Sequence, residues 1–392
     1  SNGLVTNRDA WVYNFSKETI KNKMTSFIDF YNEQRNGFID YTNQQSSNSK
    51  IKVEDFIDTN PQKISWTRAL KNSIKGNHQR DFVEDNLAVG MYRPFSKHNI
   101  YFDKYFNECV YQQPKLFPNN ELNNLVIVTT GTGAKKPFSV LMTNAIPDLQ
   151  TFANSQCFPL YYYEEKEQVQ GSLFDAASES KYIRRDGVSD FIWERAKKQY
   201  GKSVTKEDIF YYVYGILHSP DYRETFANDL KKILPRIPLV DKPKDFKAFS
   251  DAGRKLAELH INYESVEAYN GVEVQMPEDK LKMDAYEFYS VTKLRFPKKD
   301  QKETIVYNSR IKINNIPEKA YQYVVNGKSA IEWIMDRYQV KVDKKSGIKN
   351  DPNDWSKEVE NPRYILDLLL SLINVSVQTV DIVNELPKLK FE

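Results

Sequence analysis

The stretch Thr205–Arg223 reads TKEDIFYYVYGILHSPDYR and carries the strongest local structure signals of the chain. Thr205 and Asp208 have the spacing of a helix capping box, in which each side chain binds the backbone N–H of the other residue. Ser219 before Pro220 predicts a second helix start, because proline suits the first position of a helix. A third helix is predicted where residues recur at helical spacing, at Phe246, Phe249, Gly253, Leu256 and Leu259. Residues 186–263 are therefore predicted to form packed helices.

Runs typical of β-strands lie on both sides of this helical segment. On the N-terminal side they are Leu87–Tyr92, Asn99–Phe102, Leu125–Thr129, Phe138–Thr143 and Leu160–Tyr163. On the C-terminal side they are Lys293–Phe296, Thr304–Tyr307 and Ile311–Ile313, and helices are predicted after them at Ser329–Tyr338 and from Pro362 to about Leu386. One earlier helix, Lys17–Tyr31, is predicted with Ser16 as its N-cap. The pattern predicts an α+β fold with two sheet-containing lobes that flank a helical middle segment.

Two polar stretches without periodicity, Thr42–Lys50 and Glu164–Ser180, are typical of connections. They lead to a division into a first helix with its linker (1–50), a sheet-rich lobe (51–165), a helical segment (181–265) and a second α/β lobe with C-terminal helices (266–392). No internal repeat of fixed period is visible, which disfavours solenoids and propellers.

Composition excludes several classes of protein. The mean hydropathy is −0.65, and no apolar run is expected to approach the ~20 residues that a membrane helix needs. Ser1–Phe15 has neither the basic nor the apolar region of a signal peptide. The two cysteines and four histidines offer no disulfide framework and no metal-ligand spacing. The sequence predicts a cytoplasmic protein with no membrane partner and no structural metal.

Charge leaves nucleic-acid binding open. The chain has 56 Lys and Arg against 53 Asp and Glu, so the clustering of charge must decide rather than its total. Basic and aromatic residues occur together in Tyr92–His98, Tyr111–Lys115 and Lys181–Arg185, and lysines recur in Lys341–Lys349. Such sets suit phosphate contacts, with ordinary solvated surface as the alternative. The 25 tyrosines and 22 phenylalanines lie mostly in helix and strand patterns, which favours core packing over stacking on bases.

No catalytic constellation is found. Val126–Ser139 (VIVTTGTGAKKPFS) looks like a phosphate cradle, but its glycines are too close together for a P-loop and Pro137 disturbs the following helix. We interpret it as a turn, with a basic loop touching nucleic acid and a nucleotide site as the alternatives. His218 is expected to bond carbonyls at the end of its helix, and His260 is expected at the boundary between core and surface.

Several segments resemble the C-terminal part of Type ISP restriction–modification enzymes, single chains that join a nuclease, a helicase-like ATPase, an N6-adenine methyltransferase and a target recognition domain. The matching segments are Gly3–Phe15 (GLVTNRDAWVYNF), Tyr92–Asp103 (YRPFSKHNIYFD), Gln156–Tyr163 (QCFPLYYY), Asp208–Arg223, Leu234–Pro238 (LPRIP), Ala257–Glu264 (AELHINYE) and Tyr323–Trp355. They are spread over nearly the whole chain, which makes the resemblance more specific than any single motif.

The resemblance implies that the chain reads an asymmetric sequence of double-stranded DNA in a cleft between its lobes. It would thereby position a target adenine for methylation and control restriction. The methyltransferase motif N-P-P-[YF], Walker motifs and a nuclease acid cluster are not found, so a non-catalytic part is implied. S-adenosylmethionine, ATP and Mg are then expected in other domains of the parent enzyme, and no cofactor in this part. The methyltransferase and helicase domains of the same polypeptide are the implied protein partners.

Under this resemblance, the candidate DNA contacts fall into two sets. The candidate contacts to the DNA backbone are Arg93, Lys97, Lys115, Lys135 and Lys136. The candidate base readers are Gln112, Gln113, Arg310 and Asn350. Arg223 and Arg236 lie in family-like segments and are expected to make structural hydrogen bonds. The rival hypothesis is a protein-interaction scaffold that docks the methyltransferase and motor domains without base readout of its own.

Overall fold

The structure, a computed structural model, describes residues 1–45, 51–166, 181–278 and 282–391. Helices alternate with several small sheets, which confirms the predicted α+β class. The cleft and the division at residues 50, 165 and 265 stay predictions. Most of the connection predicted at Glu164–Ser180, and the end of the one at Thr42–Lys50, lie outside the described residues.

The helices are numbered in chain order. They are α1 (Asp9–Val12), α2 (Lys17–Asn43), α3 (Val53–Phe56), α4 (Arg68–Lys75), α5 (Gln113–Leu116), α6 (Asp190–Tyr200), α7 (Lys206–Leu217), α8 (Pro220–Thr225), α9 (Pro243–Ile261), α10 (Ala285–Phe288), α11 (Ala330–Arg337), α12 (Pro352–Glu358) and α13 (Tyr364–Asn384).

The strands are short and almost all antiparallel. They are β1 (Tyr13–Asn14), β2 (Leu87–Arg93), β3 (Ser96–Tyr101), β4 (Val126–Thr129), β5 (Val140–Thr143), β6 (Ile146–Pro147), β7 (Gln156–Pro159), β8 (Tyr161–Glu165), β9 (Tyr182–Asp186), β10 (Glu273–Gln275), β11 (Ile305–Val306), β12 (Lys312–Asn314), β13 (Val324–Val325), β14 (Lys328–Ser329), β15 (Lys341–Val342) and β16 (Lys349–Asn350). They form the sheets β1-β3-β2-β6, β5-β4-β7 and β10-β12-β11, the two-stranded sheet β8-β9, and the hairpins β13-β14 and β15-β16. Strand β6 joins β2 in parallel.

Strand β4 lies between two hydrophobic cores. Val126 and Val128 pack into a core with the N-terminal and C-terminal parts of the chain, whereas Ile127 packs into a second core with α7 and α9. Successive side chains of a strand point to opposite faces, so one fully buried strand supplies both cores. The sheet β5-β4-β7 thereby joins the helical segment to the rest of the protein.

Helices α7 and α9 touch through their backbones. A Cβ at Gly253 would lie 1.8 Å from the carbonyl oxygen of Tyr211, and one at Gly215 would lie 2.2 Å from that of Phe249. The capping box at the start of α7, the Ser219 cap of α8 and the buried face of α9 are all confirmed. The helix starts depend on residues close in sequence. Gly215 and Gly253 allow the two helices to pack closely.

The predicted helix Lys17–Tyr31 is confirmed at its start and is too short at its end. The side chain of Ser16 accepts the N–H of Thr19 as an N-cap, but α2 continues to Asn43. Its later, polar half is supported because the rings of Phe38 and Tyr41 pack against Phe56, at 5.8 and 5.5 Å between centroids. That partner is distant in sequence, so helical periodicity does not reveal it.

The predicted strands are confirmed for the most part, with two corrections. Lys293–Phe296 does not form a strand, since only Arg295 makes an isolated bridge, to Val306. The region predicted as helical begins with strand β9, which pairs with β8 along five residues each.

Helix α13 corrects the expectation about apolar runs. Within the described ranges it is the one helix long and apolar enough to cross a membrane, because small polar residues such as Ser371 and Ser376 barely interrupt its leucines and valines. Most of its side chains are buried inside the protein, as in the core helix of a globular domain, so its length and composition are weak evidence for a membrane span.

Buried rings account for much of the aromatic content, as predicted. The fully buried tyrosines are Tyr31, Tyr101, Tyr212, Tyr214, Tyr222, Tyr263, Tyr307 and Tyr338. His218 Nδ1 lies 2.7 Å from the carbonyl oxygen of Tyr214, which confirms its role at the end of α7. His260 is fully buried, so the expectation of a boundary residue is wrong. Arg223 donates to the carbonyl of Leu217 at 2.6 Å, as expected for a structural arginine.

Candidate nucleic-acid interface

The glycine loop after β4 is a turn packed against neighbouring backbone. The N–H of Gly131 donates to the carbonyl of Ala153 and that of Gly133 to the carbonyl of Lys231, both at 3.0 Å. A phosphate cradle needs such N–H groups free to face the ligand. A Cβ at Gly131 would also lie 1.9 Å from the carbonyl oxygen of Asn154. The geometry therefore favours the turn over a nucleotide site.

The end of this loop meets the turn of the β13–β14 hairpin. Asn326 and Gly327 have φ values of +49° and +84°, as in a type I′ turn, for which Asn-Gly is a preferred pair. The N–H of Asn326 donates to Ser139 Oγ at 2.8 Å, and Lys136 Nζ donates to the carbonyl of Asn326 at 3.4 Å. These contacts hold Lys136 beside a turn that lies 190 residues further along the chain.

Trp333 and Asp336 contact further basic side chains close to Lys136. The Nζ atoms of Lys136 and Lys328 lie 6.0 and 4.9 Å from the centroid of the Trp333 ring, within the range of a cation–π interaction. The Asp336 carboxylate accepts from Lys328 Nζ at 2.8 Å and from Arg337 Nη2 at 2.6 Å. Burial raises the pKa of Asp336, but the hydrogen bonds from these cations lower it overall.

Lys341 extends the positive charge to the β15–β16 hairpin. Desolvation, and then repulsion from Arg337, lowers its pKa, with Lys328 and Lys293 adding to the repulsion. We call the following set the basic surface: Lys136, Lys328, Arg337, Lys341, Lys344 and Lys345. Within the described ranges, Asp336 is the only carboxylate in an ion pair with any of them. The uncompensated charge suits a polyanion.

Arg93, a candidate contact to the DNA backbone, already interacts with other side chains of the protein. Its Nη1 lies 3.2 Å from Asp148 Oδ1, and its guanidinium lies 4.0 Å from the ring centroid of Tyr92. Burial lowers the pKa of His98 to about 3, with contributions from the charges of Arg337 and Arg93. The contact of Arg93 with DNA stays a prediction.

The remaining lysine candidates differ in whether their ammonium groups have partners in the protein. Lys97 Nζ lies 3.0 Å from Glu264 Oε1 and donates to the carbonyl of Ile261 at 3.2 Å, so its charge is balanced. Lys115 and Lys135 are exposed, and neither forms an ion pair in the part of the chain that the structure describes. Their proposed phosphate contacts stay predictions.

The two candidate glutamines occupy opposite environments. Gln113 is fully buried, and its Nε2 donates to the carbonyl of Asn2 at 2.8 Å. Gln112 is exposed, with its backbone N–H donating to Ser1 Oγ at 3.3 Å. A buried amide is out of reach of a base edge, so the geometry favours Gln112 over Gln113. Base reading by Gln112 stays a prediction.

Arg310 and Asn350 lie in two further neighbourhoods. Arg310 follows β11 in a tight turn, with its Nη2 3.9 Å from Glu287 Oε1. Asn350 Oδ1 accepts the N–H of Phe15 at 2.9 Å, so this side chain anchors its hairpin. The candidate residues are therefore spread over several separate parts of the structure. Lys136 is the candidate that belongs to the basic surface.

Sequence reasoning misses two cations of the basic surface, Lys328 and Arg337, whereas Lys341, Lys344 and Lys345 belong to the lysine run Lys341–Lys349 that it noted. The Asn-Gly pair directly before Lys328 is a hairpin signal, and Ser329 with Glu332 forms a capping box that starts α11. Together these signals place Lys328 at the exit of a turn and Arg337 at the end of a helix. Neither signal reveals that the glycine loop lies beside them.

Comparison with known proteins identifies the family to which this chain is similar. The model of the Type ISP C-terminal specificity domain family matches residues 1–368. No curated protein matches the chain. Among solved structures, a nuclease-deletion mutant of the Type ISP restriction–modification enzyme LlaGI in complex with a DNA substrate mimic is 38% identical, with a TM-score of 0.83. The ATP-dependent Type ISP enzyme LlaBIII bound to DNA is 37% identical with a TM-score of 0.83, and a DrdV–DNA complex is 28% identical with a TM-score of 0.78.

All of this chain is covered in each of the three comparisons, but it spans only 33%, 23% and 36% of the respective chains. The family match extends over far more than half of the residues and includes the elements that carry the basic surface. The chain therefore belongs to the family of Type ISP C-terminal specificity domains.

Proposed function

We propose that this chain recognises a double-stranded DNA target for a Type ISP restriction–modification enzyme and binds the DNA backbone at the basic surface. Family membership and the DNA-bound state of the three similar structures support target recognition. The observation that carries the proposal is the meeting of Lys136 from the glycine loop with Lys328, Arg337 and Lys341. Lysine and arginine contacts to phosphates supply affinity and register, whereas a few other side chains read bases.

Within such an enzyme, this binding would position a target adenine for methylation and control restriction. The chain itself performs no catalytic step in this proposal. S-adenosylmethionine, ATP and Mg would bind in other domains of the parent enzyme, and the methyltransferase and helicase domains would be its partners in the same polypeptide. An enzyme that acts on cellular DNA in this way would work in the cytoplasm.

Salt-dependent DNA binding tests the proposal. In the enzyme that carries this chain, we test the triple variant Lys135→Ala, Lys136→Ala and Lys341→Ala, which removes two cations of the basic surface and the neighbouring Lys135. We expect it to bind target and non-target duplexes more weakly, by a similar factor. The slope of log K against log salt should become shallower by ~0.9 for each phosphate that the variant no longer neutralises. The matched control, which also removes three positive charges, is Lys198→Ala with Lys202→Ala and Lys255→Ala, three exposed lysines of the helical segment.

An unchanged slope and affinity in the triple variant, equal to those of the control, would refute binding at this surface. The rival scaffold hypothesis makes the opposite prediction. A docking surface would leave DNA binding intact in the triple variant and would weaken the coupling between this part and the methyltransferase or motor domains.

A further inference from the structure

The β15–β16 hairpin, residues 341–350, has a firmly anchored base. Ile348 is buried in the first core. Asn14 Nδ2 donates to the carbonyl of Lys349 at 3.0 Å, and the N–H of Phe15 donates to Asn350 Oδ1 at 2.9 Å. These contacts hold both ends of the second strand against the N-terminal strand β1.

The tip of the hairpin is held in one shape by its own residues. The Asp343 carboxylate accepts the N–H groups of Lys345 and Ser346 at 3.2 and 2.7 Å and the hydroxyl of Ser346 at 2.8 Å. Gly347 has φ of +73°, and its N–H donates to the carbonyl of Asp343 at 2.8 Å. A tip that is already ordered loses little conformational freedom on binding.

The two lysine side chains at the tip have no ion-pair partner in the described chain. Lys344 and Lys345 are exposed and form no ion pair with any described residue. Val342 is 59% exposed. Asp343 is occupied by the turn, and its hydrogen bonds with Ser346 lower its pKa. The tip thus presents two free ammonium groups beside an exposed apolar side chain.

The hairpin stands away from the body of the protein. A cleft of about 570 Å³ separates its lysines from Tyr13 and Tyr92, with Asp9 and Ala10 on the same wall. The contacts of the hairpin are therefore concentrated at its base, which includes Ile348 and Asn350. The tip is free to enter a groove without disturbing the core.

The shape and chemistry of this tip match the major groove of DNA. That groove is about 12 Å wide and admits a two-stranded ribbon. Lysine ammonium groups contact O6 and N7 of guanine, and apolar side chains contact the methyl group of thymine. Phosphate contacts alone would require neither an exposed valine nor an ordered tip. The lysines of the basic surface outside the tip remain available for phosphates.

We propose that the β15–β16 hairpin enters the major groove and that Lys344 and Lys345 determine sequence specificity by contacting base edges. This inference rests on the proposed function of the chain and assigns its base readout to residues outside the four candidates chosen from sequence. Asn350, one of those candidates, has the role of a positioning residue at the base of the hairpin.

The experiment compares the enzyme that carries this chain with its Lys344→Ala and Lys345→Ala double variant. Methylome sequencing of cells that express each enzyme gives the modified motif. Duplex oligonucleotides with and without the wild-type motif then give the ratio of target to non-target affinity. The matched control here is the double variant Lys198→Ala with Lys202→Ala, which removes the same charge from the helical segment. Far-ultraviolet circular dichroism and thermal unfolding check that each variant is folded.

We expect the double variant to keep the wild-type unfolding temperature, to lose about tenfold or more of the affinity ratio, and to methylate a motif relaxed at one or two positions. An unchanged ratio and motif, with or without uniformly weaker binding, would overturn the inference. The proposed function fails in a different way, namely when the wild-type enzyme binds DNA independently of the basic surface, as judged from the Lys135, Lys136 and Lys341 variant.

Discussion

The hydroxyl of Tyr214 lies 2.6 Å from Nδ1 of His260 and joins helices α7 and α9 in a fully buried polar network. The same hydroxyl accepts the N–H of Met142 at 2.9 Å, and Nε2 of His260 lies 2.9 Å from Thr379 Oγ1. Residues from β5, α7, α9 and α13 therefore meet at one hydroxyl and one imidazole. Buried polar groups are costly when unpartnered, so this network constrains how the four elements pack.

Tyr214→Phe keeps the ring and removes the hydroxyl from this network. The N–H of Met142 and Nδ1 of His260 would then be buried without partners, and we expect a loss of about 2–4 kcal/mol in the free energy of unfolding. Equilibrium unfolding in urea measures it. Tyr211→Phe, three residues earlier in α7, removes a hydroxyl with no hydrogen bond to the described chain and should cost under about 0.5 kcal/mol. Equal losses would contradict the role of the network.

The buried histidines should make the protein sensitive to acid. Burial lowers the pKa of His260 to about 3 from an ordinary value of 6.5. Between pH 6.5 and 3, the unfolded chain therefore binds more protons than the folded chain. The free energy of unfolding consequently decreases as pH falls through that window. Asp148 acts in the opposite sense between pH 7 and its ordinary pKa of 3.8, because burial raises its pKa to about 7 and the folded chain then binds more protons.

A variant isolates the contribution of one histidine. As pH falls from 6.5 to 4, the unfolding free energy of both proteins should decrease. The decrease should be steeper for the wild type than for His260→Gln, by about 1.4 kcal/mol per pH unit. Unfolding in urea at several pH values gives both slopes. Parallel curves would show that His260 does not titrate as its burial predicts.

Gly253→Ala tests the contact between α7 and α9. Alanine favours a helix over glycine by up to about 1 kcal/mol, but here its Cβ would lie 1.8 Å from the carbonyl oxygen of Tyr211. We expect a net loss of about 1–3 kcal/mol in unfolding free energy, because the helices must move apart. Lys255→Ala on the exposed face of α9 is the control. Stabilisation by Gly253→Ala in thermal unfolding would disprove the close approach.

Gln112 and Gln113 form a matched pair of neighbours. Gln113→Ala removes a buried amide that holds the carbonyl of Asn2 and should cost about 1–2 kcal/mol of unfolding free energy without altering the methylated motif. Gln112→Ala should leave the unfolding free energy unchanged and would change the motif if Gln112 reads a base. Urea unfolding and methylome sequencing check the two effects separately. A changed motif in a fully stable Gln113→Ala enzyme would restore Gln113 as a reader.

Features that depend on neighbours in sequence are the ones that could be predicted. The Ser16 cap, the capping box of Thr205 with Asp208 and the Ser219 cap before Pro220 all act within a few residues, and each begins a helix as expected. The end of α2 could not be predicted in this way, because Phe56 supports its second half from outside the helix.

The candidate site was less predictable than the fold, because exposure and partners depend on the packing of distant segments. Gln112 and Gln113 have the same side chain and adjacent positions, yet only Gln113 is buried by the first residues of the chain. Arg93 and Lys97 were recognisable as cations, but their carboxylate partners Asp148 and Glu264 come from other elements.

By itself, the sequence determined the family, the α+β class and the starts of the main helices, because these follow from motifs and from contacts within single helices and turns. Only the tertiary structure decided which cations share a surface. Lys136 reaches Trp333 and Lys328 because Ser139 binds the backbone of Asn326 across the chain. Strand β4 is likewise shared by two cores only because distant segments pack on both of its faces. Such contacts depend on the free energy of burying the whole chain and have no local pattern.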